Sequence, residues 1–125
     1  MVAKDGERGM PKGKIQPLGR TKEQILKILE QELSYLREKY GVVRIALYGS
    51  FASGTQTRKS DVDLLVRLSR PLGLEFVALA EYLERRLGCK VDLATFEMLD
   101  RGLNHPRYRE VALDIERTLT DVPTG

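Results

Sequence analysis

The sequence has a single cysteine and a single histidine among its 125 residues, and it has no long hydrophobic run. Each scarcity excludes a class of protein. With Cys89 alone there is no intrachain disulfide and no cysteine-rich zinc site, and a small buried hydrophobe is the role expected of it. His105 stands in Asn104-His105-Pro106, which reads as a helix start with Pro106 at the first helical position, so a cap or surface role is expected rather than general-base work. No convincing Cys-His or Ser-His nucleophilic pair is present. No apolar stretch approaches the roughly 20 residues that span a bilayer. The N-terminus lacks a signal peptide's apolar segment, so a cytoplasmic protein without a membrane anchor is expected. The length suits one domain with one core.

An excess of one charge is also missing from most of the chain. The formal net charge is +3, but residues 1–24 carry six Lys/Arg against Asp5, Glu7 and Glu23, and the remaining residues carry 15 charges of each sign. The basic character belongs to the opening segment. A sustained phosphate-backbone surface needs a basic folded body, so nucleic acid is disfavoured as a main partner. Residues 1–18 combine Gly6, Gly9, Pro11, Gly13 and Pro17 with scattered charges and few apolar side chains. Such a segment cannot bury enough surface to offset its ordering entropy, and a flexible basic tail is expected there, with residues 19–125 forming the domain.

Thr21-Lys22-Glu23-Gln24 is a capping-box pattern, followed by Ile25, Ile28, Leu29, Leu33 and Leu36 at helical spacing and by Gly41 as a left-handed cap. Val42 to Tyr48 reads as a strand that stops at a tight turn on Gly49, with Ser50 opening a short helical turn. A second strand covers Asp61 to Leu68 and ends at Pro71. A helix follows from Leu72 to Gly88, with Phe76, Leu79, Leu83 and Leu87 on its apolar face, and a third strand runs from Cys89 to Thr95. A strand, a crossover helix and another strand favour parallel pairing of the second and third strands. Glu97 and Asp100 are expected as surface acids on a short turn. Tyr108, Val111, Ala112, Ile115 and Leu119 form the apolar stripe of a closing helix, and Asp121 to Gly125 are expected to fray.

Chemistry concentrates between Gly49 and Asp63. On a strand, Asp61 and Asp63 project to one face, and two carboxylates that close raise each other's proton affinity unless a cation lies between them. Mg2+, which takes oxygen ligands and keeps positions open for phosphate, suits them; two solvated acids on an edge strand are the plainer alternative. Gly49 and Ser50 offer backbone amides, a hydroxyl and room for close approach, which suits phosphate, although Gly-Ser is also an ordinary turn. Arg58 and Lys59 lie in the loop Gly54 to Ser60, either as exposed connector residues or as cations that offset a triphosphate.

Gly49-Ser50, the ten residues Phe51 to Ser60, and Asp61-Val62-Asp63 together resemble the signature of the DNA polymerase beta-type nucleotidyltransferases, in particular the minimal nucleotidyltransferases. The resemblance covers roughly residues 21–119. It implies an α/β fold with a small mixed sheet of about three core strands flanked by helices. It also implies that Asp92, in Lys90 to Thr95, is the third acid, and that Asp61, Asp63 and Asp92 are the catalytic and metal-binding residues for two Mg2+ ions. Gly49 and Ser50 then grip the phosphates of ATP. Many members carry arginine where this chain has Ser53; Arg58 and Lys59 are the nearby cations. Minimal nucleotidyltransferases usually pair with a small helical protein, often a HEPN-type ribonuclease toxin, and act as antitoxin by adding AMP to it. That function is the leading expectation. Transfer to a small-molecule alcohol and a non-catalytic antitoxin that neutralises by contact are the rivals, and an exposed sheet edge would also permit a homo-oligomer.

Overall fold

The computed structural model describes residues 20–123, so the basic opening at 1–18 lies outside the described residues. Helix α1 spans Lys22–Tyr40. Its start is the capping box read from the sequence: Thr21 Oγ1 accepts from the Gln24 amide at 3.2 Å, and the Gln24 side chain accepts from the Thr21 amide at 2.9 Å. Gly41 ends it at φ 71°, and strand β1 (Val42–Tyr48) begins at once. The five-residue helix α2 (Gly49–Ser53) is followed by a loop, by β2 (Val62–Leu68) and by α3 (Glu75–Leu87). Strand β3 (Val91–Thr95), helices α4 (Phe96–Leu103) and α5 (Arg109–Thr118), and the two-residue β4 (Thr120–Asp121) complete the chain.

The sheet has the order β3-β2-β1-β4. β1 is antiparallel to β2 and β4, and β2 is parallel to β3 as the crossover predicts. Side-chain alternation sorts the strand residues onto two faces. Ile45, Leu47, Val62, Leu64 and Val66 pack with Ile25, Leu29 and Leu36 of α1 and Leu79, Leu83 and Leu87 of α3. On the opposite face Ala46 and Leu65 pack with Phe96, Leu99 and Ala112, a smaller core under α4 and α5. Among the described residues no helix is long and apolar enough to cross a membrane.

Several expectations from the sequence need correction. Beside the three core strands foreseen, the sheet has a two-residue fourth, in which Thr120 pairs with Leu47 and Asp121, where fraying is expected, pairs with Ala46. Val122 is buried at 2% exposure, and its amide donates to the Ile45 carbonyl at 3.0 Å. The segment holding Glu97 and Asp100 is a full helix, whose start Thr95 caps by accepting from the Met98 amide. Asn104 caps the end of that helix, so residues 104–108 form the connection and α5 starts at Arg109, not at Pro106. The crossover helix starts at Glu75 and β3 at Val91, each later than expected.

Candidate active site

Asp63 and Asp92 face each other across the parallel pair, since Asp63 is in register with Asp92 and Leu65 with Ala94. Both therefore lie on the α4/α5 face of the sheet. Tyr48 pairs with Asp63 from the other side, which lines up Tyr48, Asp63 and Asp92 across three strands. Asp61 lies one residue before β2 and is exposed, so of the pair expected on the strand only Asp63 is a strand residue. Asp92 is also exposed, on the edge strand, where an acid is ordinary; its level register with Asp63 makes it a candidate.

The electrostatics mark Asp63 as the centre. Burial, then the charges of Asp92 and Asp61, push its carboxyl up to about 6. Burial, followed by Asp63 and Asp92, likewise raises the Tyr48 phenol to about 12, so Tyr48 stays protonated beside the acids. Among the described residues no three ligating side chains form a ready-made cage for an ion. The arrangement is an open cluster of negative charge, one member of which is held half out of water. A hard cation that shares its shell with phosphate and water fits such a donor set.

Gly49 adjoins this cluster for a steric reason. Its φ is 76°, and a Cβ at that position would overlap the Asp63 carboxylate. Its amide is already engaged, donating to Thr118 Oγ1 at 2.9 Å. Gly49 thus contributes room instead of a free donor, while Ser50 follows as the second residue of α2. Ser53 turns its hydroxyl back to the Gly49 and Ser50 carbonyls and to Thr55, closing the helix end. The loop beyond is tightened by the Thr57 amide on Ser60 Oγ, the Ser60 amide on the Thr57 carbonyl and the Lys59 amide on Thr57 Oγ1. Arg58 and Lys59 are exposed on it. Gln56 has a buried side-chain oxygen without a hydrogen-bond partner.

Beside Asp92 opens a cavity of about 540 Å³ between the sheet and α4/α5. Tyr48, Leu65 and Ala94 line it from the sheet, and Leu99 and Ile115 from the helices. At its mouth Met98, Tyr108 and Val111 are 57%, 53% and 62% exposed, so Tyr108 and Val111 do not form the buried stripe expected of them. His105 reaches the cavity as well. Its ring lies 4.9 Å from that of Tyr108, and its Nδ1 accepts from the Arg107 amide, which fits the surface role expected of it. The apolar mouth was missed because periodicity identifies a stripe without saying what covers it.

Residues 23–117 match the family described as nucleotidyltransferase domain. The chain is similar to the protein adenylyltransferase MntA of Thermococcus cleftensis, with 41% identity over 92 residues, 73% of this chain and 93% of the relative. It is also similar to a solved structure provisionally assigned as a minimal nucleotidyltransferase, with 31% identity and a TM-score of 0.57 over 83% of this chain and 96% of that one. A toxin-antitoxin structure with AMP-PNP shares the fold at 21% identity and a TM-score of 0.55, over 85% of this chain and 75% of its own.

Proposed function

This chain belongs to the nucleotidyltransferase domain family and is a nucleotidyltransferase, and from that premise we propose that it moves AMP from Mg-ATP to a hydroxyl of a partner protein, a HEPN-type toxin it thereby neutralises. The observation that carries this reading is the level pairing of Asp63 with Asp92 beside the Gly49-Ser50 turn. The Thermococcus relative is a protein adenylyltransferase, which supports both the nucleotide and the class of acceptor.

The residues divide the work by position. The turn receives the β- and γ-phosphates, Gly49 by leaving space and Ser50 by its amide and hydroxyl. Arg58 and Lys59 offset the charge of the triphosphate from the adjoining loop. Asp61, Asp63 and Asp92 would hold two Mg2+ ions, which lower the pKa of the attacking hydroxyl and neutralise the leaving oxygens. In-line displacement requires the acceptor to approach opposite the departing pyrophosphate, hence from the side away from the turn, where Asp92 and the cavity lie. The acceptor oxygen bonds to the α-phosphorus, the bond to the β-phosphate oxygen breaks, and Asp92 assists removal of the acceptor proton. The apolar mouth formed by Met98, Tyr108 and Val111 favours a protein over a charged or polyhydroxylated small molecule.

The test is transfer of label from α-phosphate-labelled ATP, with Mg2+, into proteins of a lysate of the source organism. A discrete labelled protein with the wild type, and none with Asp63→Asn, is expected. Intact Mg-dependent ATP binding without any labelled protein would transfer the assignment to a small-molecule acceptor or a contact-only antitoxin.

A further inference from the structure

The phosphate turn has no capping side chain of its own, and the group that takes its first amide comes from the far end of the fold. α2 lacks a side-chain cap on Tyr48, while Thr118, at the last position of α5, accepts from the Gly49 amide at 2.9 Å. The same hydroxyl donates to the Ile115 carbonyl at 3.1 Å. Its one proton is thereby committed, and towards Gly49 it can only accept. Both bonds are part-buried, so losing the hydroxyl would strand an amide and a carbonyl that water reaches poorly.

Thr118 is itself held in place. Thr120 Oγ1 donates to the Thr118 carbonyl at 3.1 Å, and Thr120 pairs with Leu47 on β1. Arg44 of β1 then grips both carboxylate oxygens of Asp121 at 2.8 and 3.0 Å. The segment from Thr118 to Val122 is thus strapped along β1 up to the turn that β1 feeds. The match to the family ends at residue 117, one residue short of this strap.

We propose that Thr118 is a positioning residue for nucleotide transfer: its hydroxyl fixes the backbone of Gly49 so that the turn stays pressed against Asp63, with the Ser50 donors facing the nucleotide. A glycine at φ 76° has more conformations open to it than any other residue, and Thr118 removes them. The pre-ordering that results shows as nucleotide affinity. This role rests on the phosphate-binding function proposed for the Gly49-Ser50 turn.

The probe is Mg-AMP-PNP, which needs no acceptor, titrated calorimetrically into the full chain. Thr118→Val, which keeps the shape and loses the hydroxyl, is expected to weaken binding about tenfold, and Thr118→Ser to stay within about twofold of the wild type. Thr21→Ala, which removes the cap of α1, lowers the melting point without touching the turn and is expected to leave affinity unchanged, separating positioning from general stability. Wild-type affinity in Thr118→Val would overturn the role, as would equal losses in the serine and valine variants. If the valine variant does not fold, hydrogen exchange decides on the wild type: a Gly49 amide protected before nucleotide is added supports the bond, and free exchange sinks it. A wild type that does not bind Mg-AMP-PNP would instead remove the nucleotide reading itself.

Discussion

Asp63 is the residue at which stability and chemistry pull apart. Burial, Asp92 and Asp61 raise its carboxyl to about 6, so its charge is held at a loss. The folded-state value lies above the unfolded one. Asp63 therefore weakens the fold fully above pH 6, and the effect fades as the pH falls towards 4. In chelated protein Asp63→Asn is expected to raise stability at pH 7.5 by about 1 kcal/mol, after allowing for solvent screening of a half-exposed group, or roughly 5 °C in melting temperature. At pH 5 the gap between variant and wild type should narrow; a gap independent of pH would show that the charge is not the cause. The crowding of acids around Asp63 was legible in the sequence, because Asp61 and Asp63 stand one residue apart beside a dense apolar run. The part of Gly49 was only half legible. Its need for positive φ follows from its place at a strand end, but that its missing side chain makes room for Asp63, and that its amide is spent on Thr118, depends on contacts between residues far apart in the chain.

At the scale of elements, the parts with strong local signals were readable. The capping box on Thr21, the left-handed Gly41, the helix stop at Gly88, and the crossover that makes β2 and β3 parallel all stand as the sequence implies. Elements without a local signature were not. A two-residue strand has no periodicity, so β4 could not be separated from a fraying tail; its pairing comes from β1, more than 70 residues earlier. Thr95 ends a strand and caps a helix at once, and the first role hid the second. The C-terminal strap nevertheless carries weight, because Val122 is buried in the larger core. Val122→Asp would place an unpaired charge there and is expected to cost about 3 kcal/mol, a fall of roughly 10 °C or more in a thermal melt. Melting within a degree or two of the wild type would mean that the end of the chain frays after all.

For the molecule as a whole, charge and apolar surface give separate clues to the partner. Beyond residue 24 the charges balance, so that part of the chain has no net charge to attract a nucleic acid backbone, and the mouth of the cavity beside Asp92 is largely apolar. Fold and chemistry lay in the sequence, whereas this surface did not, since helical spacing predicts burial for Tyr108 and Val111 and only the packing of α4 against α5 leaves them outside. Gly102 permits that packing: a Cβ there would lie 3.1 Å from the Ala112 side chain, so the helices meet closely at that point. If the mouth receives a protein acceptor, binding of nucleotide and transfer to the acceptor are separable. Val111→Glu, at a position 62% exposed, should leave the melting point within about 2 °C of the wild type and the affinity for Mg-AMP-PNP unchanged. The rate of label transfer into the partner protein should fall at least tenfold, because a carboxylate would be desolvated on docking, a loss of roughly 1.4 kcal/mol or more. Reduced AMP-PNP affinity in this variant would assign the cavity to the nucleoside instead, and the acceptor would then have to enter along the exposed edge of β3.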